Sequence, residues 1–218
     1  MASPIDLITI TREFGAGGGE LAATLGARLG WTVLDRDIVR RTAERLGVDE
    51  EAIAARDEHA PGLLERLGTT ILRTSPEIIS VPPDDVQALD PDRIAGAVRE
   101  VLRAAAAAGP AVIVGHGAAA IFADHPRALH VKLVAPLAQR AARICARVGC
   151  HAKEAFGLAP RVDAERVSYM RQFYGRDWRD PMLFDLQINT GRVTIDDAAA
   201  LIESLAASHA SREAMAHG

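Results

Sequence analysis

Residues 5–20 read Ile5-Asp6-Leu7-Ile8-Thr9-Ile10-Thr11-Arg12-Glu13-Phe14-Gly15-Ala16-Gly17-Gly18-Gly19-Glu20, and this stretch decides the fold. The apolar run from Ile5 to Ile10 is a short β-type segment that ends in four glycines within five positions, Gly15, Gly17, Gly18 and Gly19. From Glu20 onward Leu21, Leu25 and Leu29 recur at helical spacing, and Gly30 supplies a left-handed stop. A strand feeding a glycine turn and then a helix presents several backbone N–H groups and the positive end of a helix dipole to one point, which suits a phosphate. A plain tight turn is the alternative, but four glycines exceed what such a turn requires. A dinucleotide fold is a second alternative, since Asp35 follows Gly15 at about 20 residues, the spacing of a ribose-binding acid. Glu20 argues against it, being too bulky for the third small position of G-x-G-x-x-G.

Outward from this unit, Trp31 to Leu34 reads as a second strand, and Asp35 as the N-cap of a helix from Arg36 to Leu46 that stops at Gly47. Between Val48 and Asp90 only short helical pieces emerge, around Glu51 to Ala55 and Leu63 to Leu72, giving way to a loop with Pro76, Pro82, Pro83 and Pro91; this predicts an inserted subdomain. A helix follows over Asp92 to Ala108, then an apolar strand, Ala111 to Val114, entering Gly115-His116-Gly117. Leu129 to Val134 is a further strand, Pro136 opens a helix through Val148, and Ile188 begins a last short strand. Such alternation predicts an α/β fold with a parallel sheet covered on both faces, and ligands bind beyond the carboxyl ends of such strands. The glycine loop, Asp35-Arg36 and Gly115-His116-Gly117 lie at those ends.

The 218 residues, 49% hydrophobic and 25% charged, suffice for one sizeable core and exclude disorder and fibrous repeats. A net charge of −4 gives no field for nucleic acid or an anionic membrane. Within Gln139 to Asp180, however, nine cations face five acids, a net +4, so the remainder carries −8 and positive charge is concentrated where a polyphosphate could use it. A solvated helix face accounts for about half of those residues. Cys145 and Cys150, with four residues between them, read as reduced structural thiols, since no second pair completes a metal tetrad. Met1 to Thr11 lacks a basic n-region and Ala104 to Val114 is far short of a membrane span, so a cytoplasmic location is expected.

With these features on view, the chain resembles the cytidylate kinase-like family of phosphate-loop kinases. The matching stretches are Ile8 to Gly18, Leu34-Asp35-Arg36, Val112 to Gly117, Phe173 to Trp178, and Asp185 to Thr190, in the same order and over nearly the whole chain. The resemblance implies a nucleoside-monophosphate-kinase-like phosphate-loop NTPase fold in a single domain. Its core would comprise 5–55, 91–148 and 181–208, its acceptor-side helical insertion about 56–90, and its Arg-rich lid about 149–180. It implies a magnesium-dependent kinase using ATP, with CMP or dCMP first among acceptors. Nucleotides are then the small-molecule partners, without nucleic acid or membrane, and a homodimer stays open. By position, Gly15, Ala16, Gly17, Gly18 and Gly19 would wrap the donor phosphates, flanked by Arg12 and Glu13. Asp35, Arg36 and His116 would serve the acceptor, and Arg161, Arg166 and Arg171 would bring lid cations onto the transferring group.

Three departures bear on activity. Gly18 occupies the place of the phosphate-loop lysine and Gly19 that of a neighbouring basic residue, leaving Arg12 as the loop's own cation. Glu20 stands where a magnesium-ligating Ser or Thr is usual, and could hold the metal or cap the helix. His116 replaces an acceptor-gripping arginine and is only partly charged near neutral pH. A nucleotide-binding sensor without turnover, and a kinase for a non-nucleotide small molecule, are the competing expectations.

Overall fold

The computed structural model describes residues 5–35, 37–50 and 91–216, with side chains as far as Ser208. Arg36, the expected insertion about 56–90 and both expected helical pieces, around Glu51 to Ala55 and Leu63 to Leu72, lie outside the described residues. In chain order the elements are β1 (Leu7–Arg12), α1 (Gly18–Leu29), β2 (Thr32–Leu34), α2 (Asp37–Leu46), α3 (Pro91–Ala108), β3 (Ala111–Val114), α4 (Ala118–Ile121), β4 (Ala128–Val134), α5 (Leu137–Val148), α6 (Ala152–Tyr174), β5 (Leu186–Asn189) and α7 (Ile195–Ala216). A short 3₁₀ turn, Pro181–Leu183, precedes β5.

The five strands form one parallel sheet in the order β2-β3-β1-β4-β5. β1 therefore sits in the middle, where the chain, having filled one side with β2 and β3, crosses to the other with β4 and β5. Crevices open at such reversals of strand order. Alternation along the strands divides the core. Ile8, Ile10, Val112, Val114, Leu129 and Val131 pack with Leu21 and Leu25 of α1 and Ile202 of α7. Leu7, Ala111, Ile113 and Leu34 pack with Ile38 of α2 and with Ile94, Val98 and Leu102 of α3.

Strand β1 lies two residues later than the apolar run indicates, because Thr11 and Arg12 continue the ladder opposite Lys132 and Leu133. The larger difference is α6. The expected lid about 149–180 is built mainly of one 23-residue helix that continues through Pro160. Proline costs a helix an N–H and crowds the preceding turn. Here Ala155, Leu158, Ala159 and Val162 are buried at helical spacing against Phe14, Ala141 and Ile144, and that packing holds the helix together.

On the α2–α3 face of the sheet a polar pair interrupts the core: Thr9 Oγ1 lies 2.7 Å from His130 Nδ1. The His130 N–H donates to Asp185 Oδ2 at 2.7 Å, and the Asp185 N–H returns to the His130 carbonyl at 2.8 Å, fixing the entry to β5. Burial holds the His130 pKa below its ordinary value, outweighing the upward pull of Asp185. The unfolded chain thus takes up this proton more readily than the native state. Its stabilising contribution is full above the unfolded pKa of about 6.5 and is lost as the pH falls below it. The urea midpoint is expected to drop between about pH 7 and about pH 5, with a smaller drop in His130→Asn.

Candidate active site

At the end of β1 the Glu13 N–H still pairs with the Leu133 carbonyl, and the Ala16 N–H turns back to the Glu13 carbonyl. Gly15 and Gly17 have φ of 85° and 89°, and α1 starts at Gly18. A side chain at Gly15 would be strained in that conformation, and its Cβ would lie 2.7 Å from the Arg140 carbonyl oxygen. At Gly18 a Cβ would come within 2.8 Å of Arg12 Cγ.

The carbonyls around this turn are held by side chains from distant elements. Arg166 Nη1 donates to the Arg12 carbonyl at 2.8 Å, Arg140 Nη1 to the Phe14 carbonyl at 3.3 Å, and Thr190 Oγ1 to the Ala16 carbonyl at 2.8 Å. Asp163 joins the two arginines: it accepts from Arg140 Nη1 at 2.6 Å and from the Phe14 N–H at 2.8 Å, and lies 3.6 Å from Arg166 Nη1. Glu13 accepts from the Ala135 N–H at 3.0 Å beside Arg140 Nε at 3.4 Å. Arg143 fixes Thr190 through both its carbonyl and its hydroxyl. With the carbonyls so occupied, the amides of Gly15, Gly17, Gly18, Gly19 and Glu20 have no acceptor among the described residues. Unpaired amides at a helix N-terminus are an anion site.

The expected site residues divide. Asp35 comes to the loop, with Oδ2 3.1 Å from the Cβ position of Gly19, and its N–H donates to Asp37 Oδ1 at 3.3 Å. Glu20 is exposed in the first turn of α1. His116 lies in the turn after β3 at φ 55° and is 1% exposed. Tyr174 of α6 donates to its carbonyl at 3.4 Å and packs its ring on Gly117.

The three lid arginines do not converge. Steps of five residues turn an α-helix by about 140° each, so Arg161, Arg166 and Arg171 point to three different sides of the continuous helix. Arg161 and Arg171 are exposed, whereas Arg166, 2% exposed, is anchored under the loop. In this arrangement Arg166 braces main chain and is not a surface cation awaiting a ligand. Lys132 is also committed elsewhere. Its Nζ donates to the Trp178 carbonyl at 2.9 Å and lies 4.4 Å from the Trp178 ring centroid, and burial lowers its pKa. Sequence reasoning missed Arg140, Arg143 and Asp163 as individuals; the excess charge of 139–180 was the one signal that pointed to them.

Magnesium bound with nucleotide phosphates needs only one or two protein carboxylates. Among the described residues no group of three His, Cys, Asp or Glu side chains could hold a metal, but Asp35 and Glu20 supply carboxylates at the loop.

The cytidylate kinase-like family's sequence profile matches residues 7–192. The chain belongs to this family. Its membership covers β1, the glycine loop, both helices that brace it and Thr190. No curated protein matches the chain. Among solved structures, an uncharacterized protein from Eubacterium ventriosum is similar at 21% identity and TM-score 0.64, over 92% of this chain and 97% of that one. Shikimate kinase from Acinetobacter baumannii aligns at 18% identity and TM-score 0.49, over 95% and 96% of the two chains. The architecture is a five-stranded parallel α/β fold, and the family to which the chain belongs is cytidylate kinase-like. No helix among the described residues is long and apolar enough to cross a membrane.

Replacing Asp163 with Ala would leave Arg140 and Arg166, both buried, without their shared carboxylate. The expected loss is about 3–5 kcal/mol of stability, read as a lowered urea midpoint.

Proposed function

We propose that the protein transfers the γ-phosphoryl group of ATP to a small acceptor, with CMP or dCMP as the leading candidates. The observation that carries this reading is the set of amides of Gly15, Gly17, Gly18, Gly19 and Glu20, which have no acceptor among the described residues, behind carbonyls held by Arg166, Arg140 and Thr190. The amides bind the donor phosphates, and the braces keep them aligned. Phosphoryl transfer asks chiefly for alignment and charge stabilisation, so a rigid donor cradle supplies much of what the reaction needs. Magnesium, held on the phosphates and reached by Asp35 or Glu20, would offset charge on the donor.

Asp35, beside Gly19, would serve the acceptor, the role that the family resemblance also gives to Arg36 and His116. A phosphate acceptor such as CMP arrives already ionised and needs no base, whereas an alcohol must lose a proton to a positioned carboxylate. Arg161 and Arg171 are exposed on α6, and either could meet a bound polyphosphate, whereas Arg166 acts through the loop. The competing reading, a nucleotide sensor without turnover, is favoured by Gly18 in the lysine place and by the commitment of Lys132 to Trp178.

A coupled ADP-release assay across the nucleoside monophosphates, alongside calorimetric titration with ATP and magnesium, tests these readings. Turnover with CMP or dCMP supports the proposal. ATP binding without turnover supports the sensor, turnover only with non-nucleotide alcohols the third reading, and absence of binding defeats all three. In an active enzyme Arg166→Ala is expected to lower kcat by about a hundredfold and also to lower Tm, because a buried brace is lost. Arg171→Ala is expected to lower turnover with Tm unchanged.

A further inference from the structure

We propose that Cys145 and Cys150 form a modification site, a dithiol that a hydroperoxide converts reversibly into an intrachain disulfide latching the α5–α6 junction. Cys150 is not helical, because α5 ends at Val148 and Gly149 takes φ 71° as its cap, its N–H donating to the Cys145 carbonyl at 2.8 Å. This cap folds the chain back so that the residue after the glycine meets the last turn, a contact ordinarily made by two apolar side chains. Here both are thiols, with Sγ atoms 3.4 Å apart. A disulfide needs about 2.05 Å, so the sulfurs must close by about 1.4 Å. Both cysteines are free and half-exposed, within reach of a small oxidant. They edge the cluster of Phe14, Ile144, Ala155 and Leu158, in which α5 and α6 meet beneath the glycine loop.

The chemistry balances with the hydroperoxide as oxidant. The Cys145 sulfur takes one peroxide oxygen, breaking the O–O bond and giving a sulfenic acid and water. The Cys150 sulfur then displaces the hydroxyl, which leaves as water with the Cys150 proton. Burial, then the adjoining Cys145 and Glu154, push the Cys150 thiol up, in keeping with a resolving thiol that stays protonated until its partner is oxidised. The cross-link ties the helix carrying Arg140 and Arg143 to the connection leading into the helix carrying Asp163 and Arg166, side chains that brace the loop directly or through Thr190.

The test is hydrogen peroxide treatment of the full chain, followed by thiol titration, intact mass and thermal unfolding. The expected product has lost both thiols and two hydrogens in mass, stays a single chain on a non-reducing gel, and reverts with dithiothreitol. Its Tm is expected to rise by about 4 °C or more. Cys145→Ser and Cys150→Ser should each show neither the cross-link nor the Tm shift. Persistence of both thiols, products that gain oxygen, an interchain disulfide or an unshifted Tm would overturn the proposal. Cross-linking requires no nucleotide, so its outcome is independent of whether the protein is a kinase.

Discussion

The active-site loop depends on which of its backbone groups are already occupied. Between Arg12 and Ala16 the carbonyls of Arg12, Phe14 and Ala16 accept from Arg166, Arg140 and Thr190, and that of Glu13 accepts from the Ala16 N–H. A peptide unit has its donor and acceptor on opposite sides, so fastening the carbonyls to the protein leaves the amides for something else. Glycine permits the turn, but the conformation is held by side chains from α5, α6 and the end of β5. A backbone so fastened needs little rearrangement when an anion arrives, which is the condition for strong electrostatic stabilisation.

This division accounts for the composition of the arginine-rich stretch. A polyphosphate-facing lid would expose its cations, yet Arg140, Arg143 and Arg166 are spent on carbonyls, a hydroxyl and Asp163. Arginine suits this work because one guanidinium offers five donors in a rigid fork: Arg140 alone reaches Ala135, Phe14 and Asp163. A lysine could not span the same groups. The net +4 of the stretch is therefore part scaffold and part surface charge, and only the latter, including Arg161 and Arg171, is available to a ligand.

Features encoded locally were legible in the sequence. Gly30 and Gly47 do stop their helices in the left-handed conformation, and Ala111 to Val114 is the strand its apolar run indicates. The glycine loop lies where strand and helix periodicities meet. The braces were not legible, because each joins residues far apart in the chain: Phe14 and Asp163 are 149 positions apart, Arg12 and Arg166 154. No periodicity marks such pairs, and buried charge resembles solvated charge until partners are seen. Nor do local cues show that packing carries α6 through Pro160, a residue that ordinarily breaks a helix.

Helix α6 also links the two sides of the site. Its Arg166 is fastened to the Arg12 carbonyl beside the glycine loop, and two turns later Tyr174 rests on Gly117 and bonds the His116 carbonyl at the turn after β3. Both contacts lie on the C-terminal side of Pro160, within one uninterrupted stretch of helix. A rigid segment cannot shift at Tyr174 and remain still at Arg166, so any movement of this half of α6 acts on both turns together. Pro160, with its missing N–H, interrupts the helix ladder just before that coupled half, while Val162 and Asp163 beyond it still meet α5. The fold thereby ties the geometry of the glycine loop to that of the His116 turn through main-chain contacts, whatever molecule occupies either side.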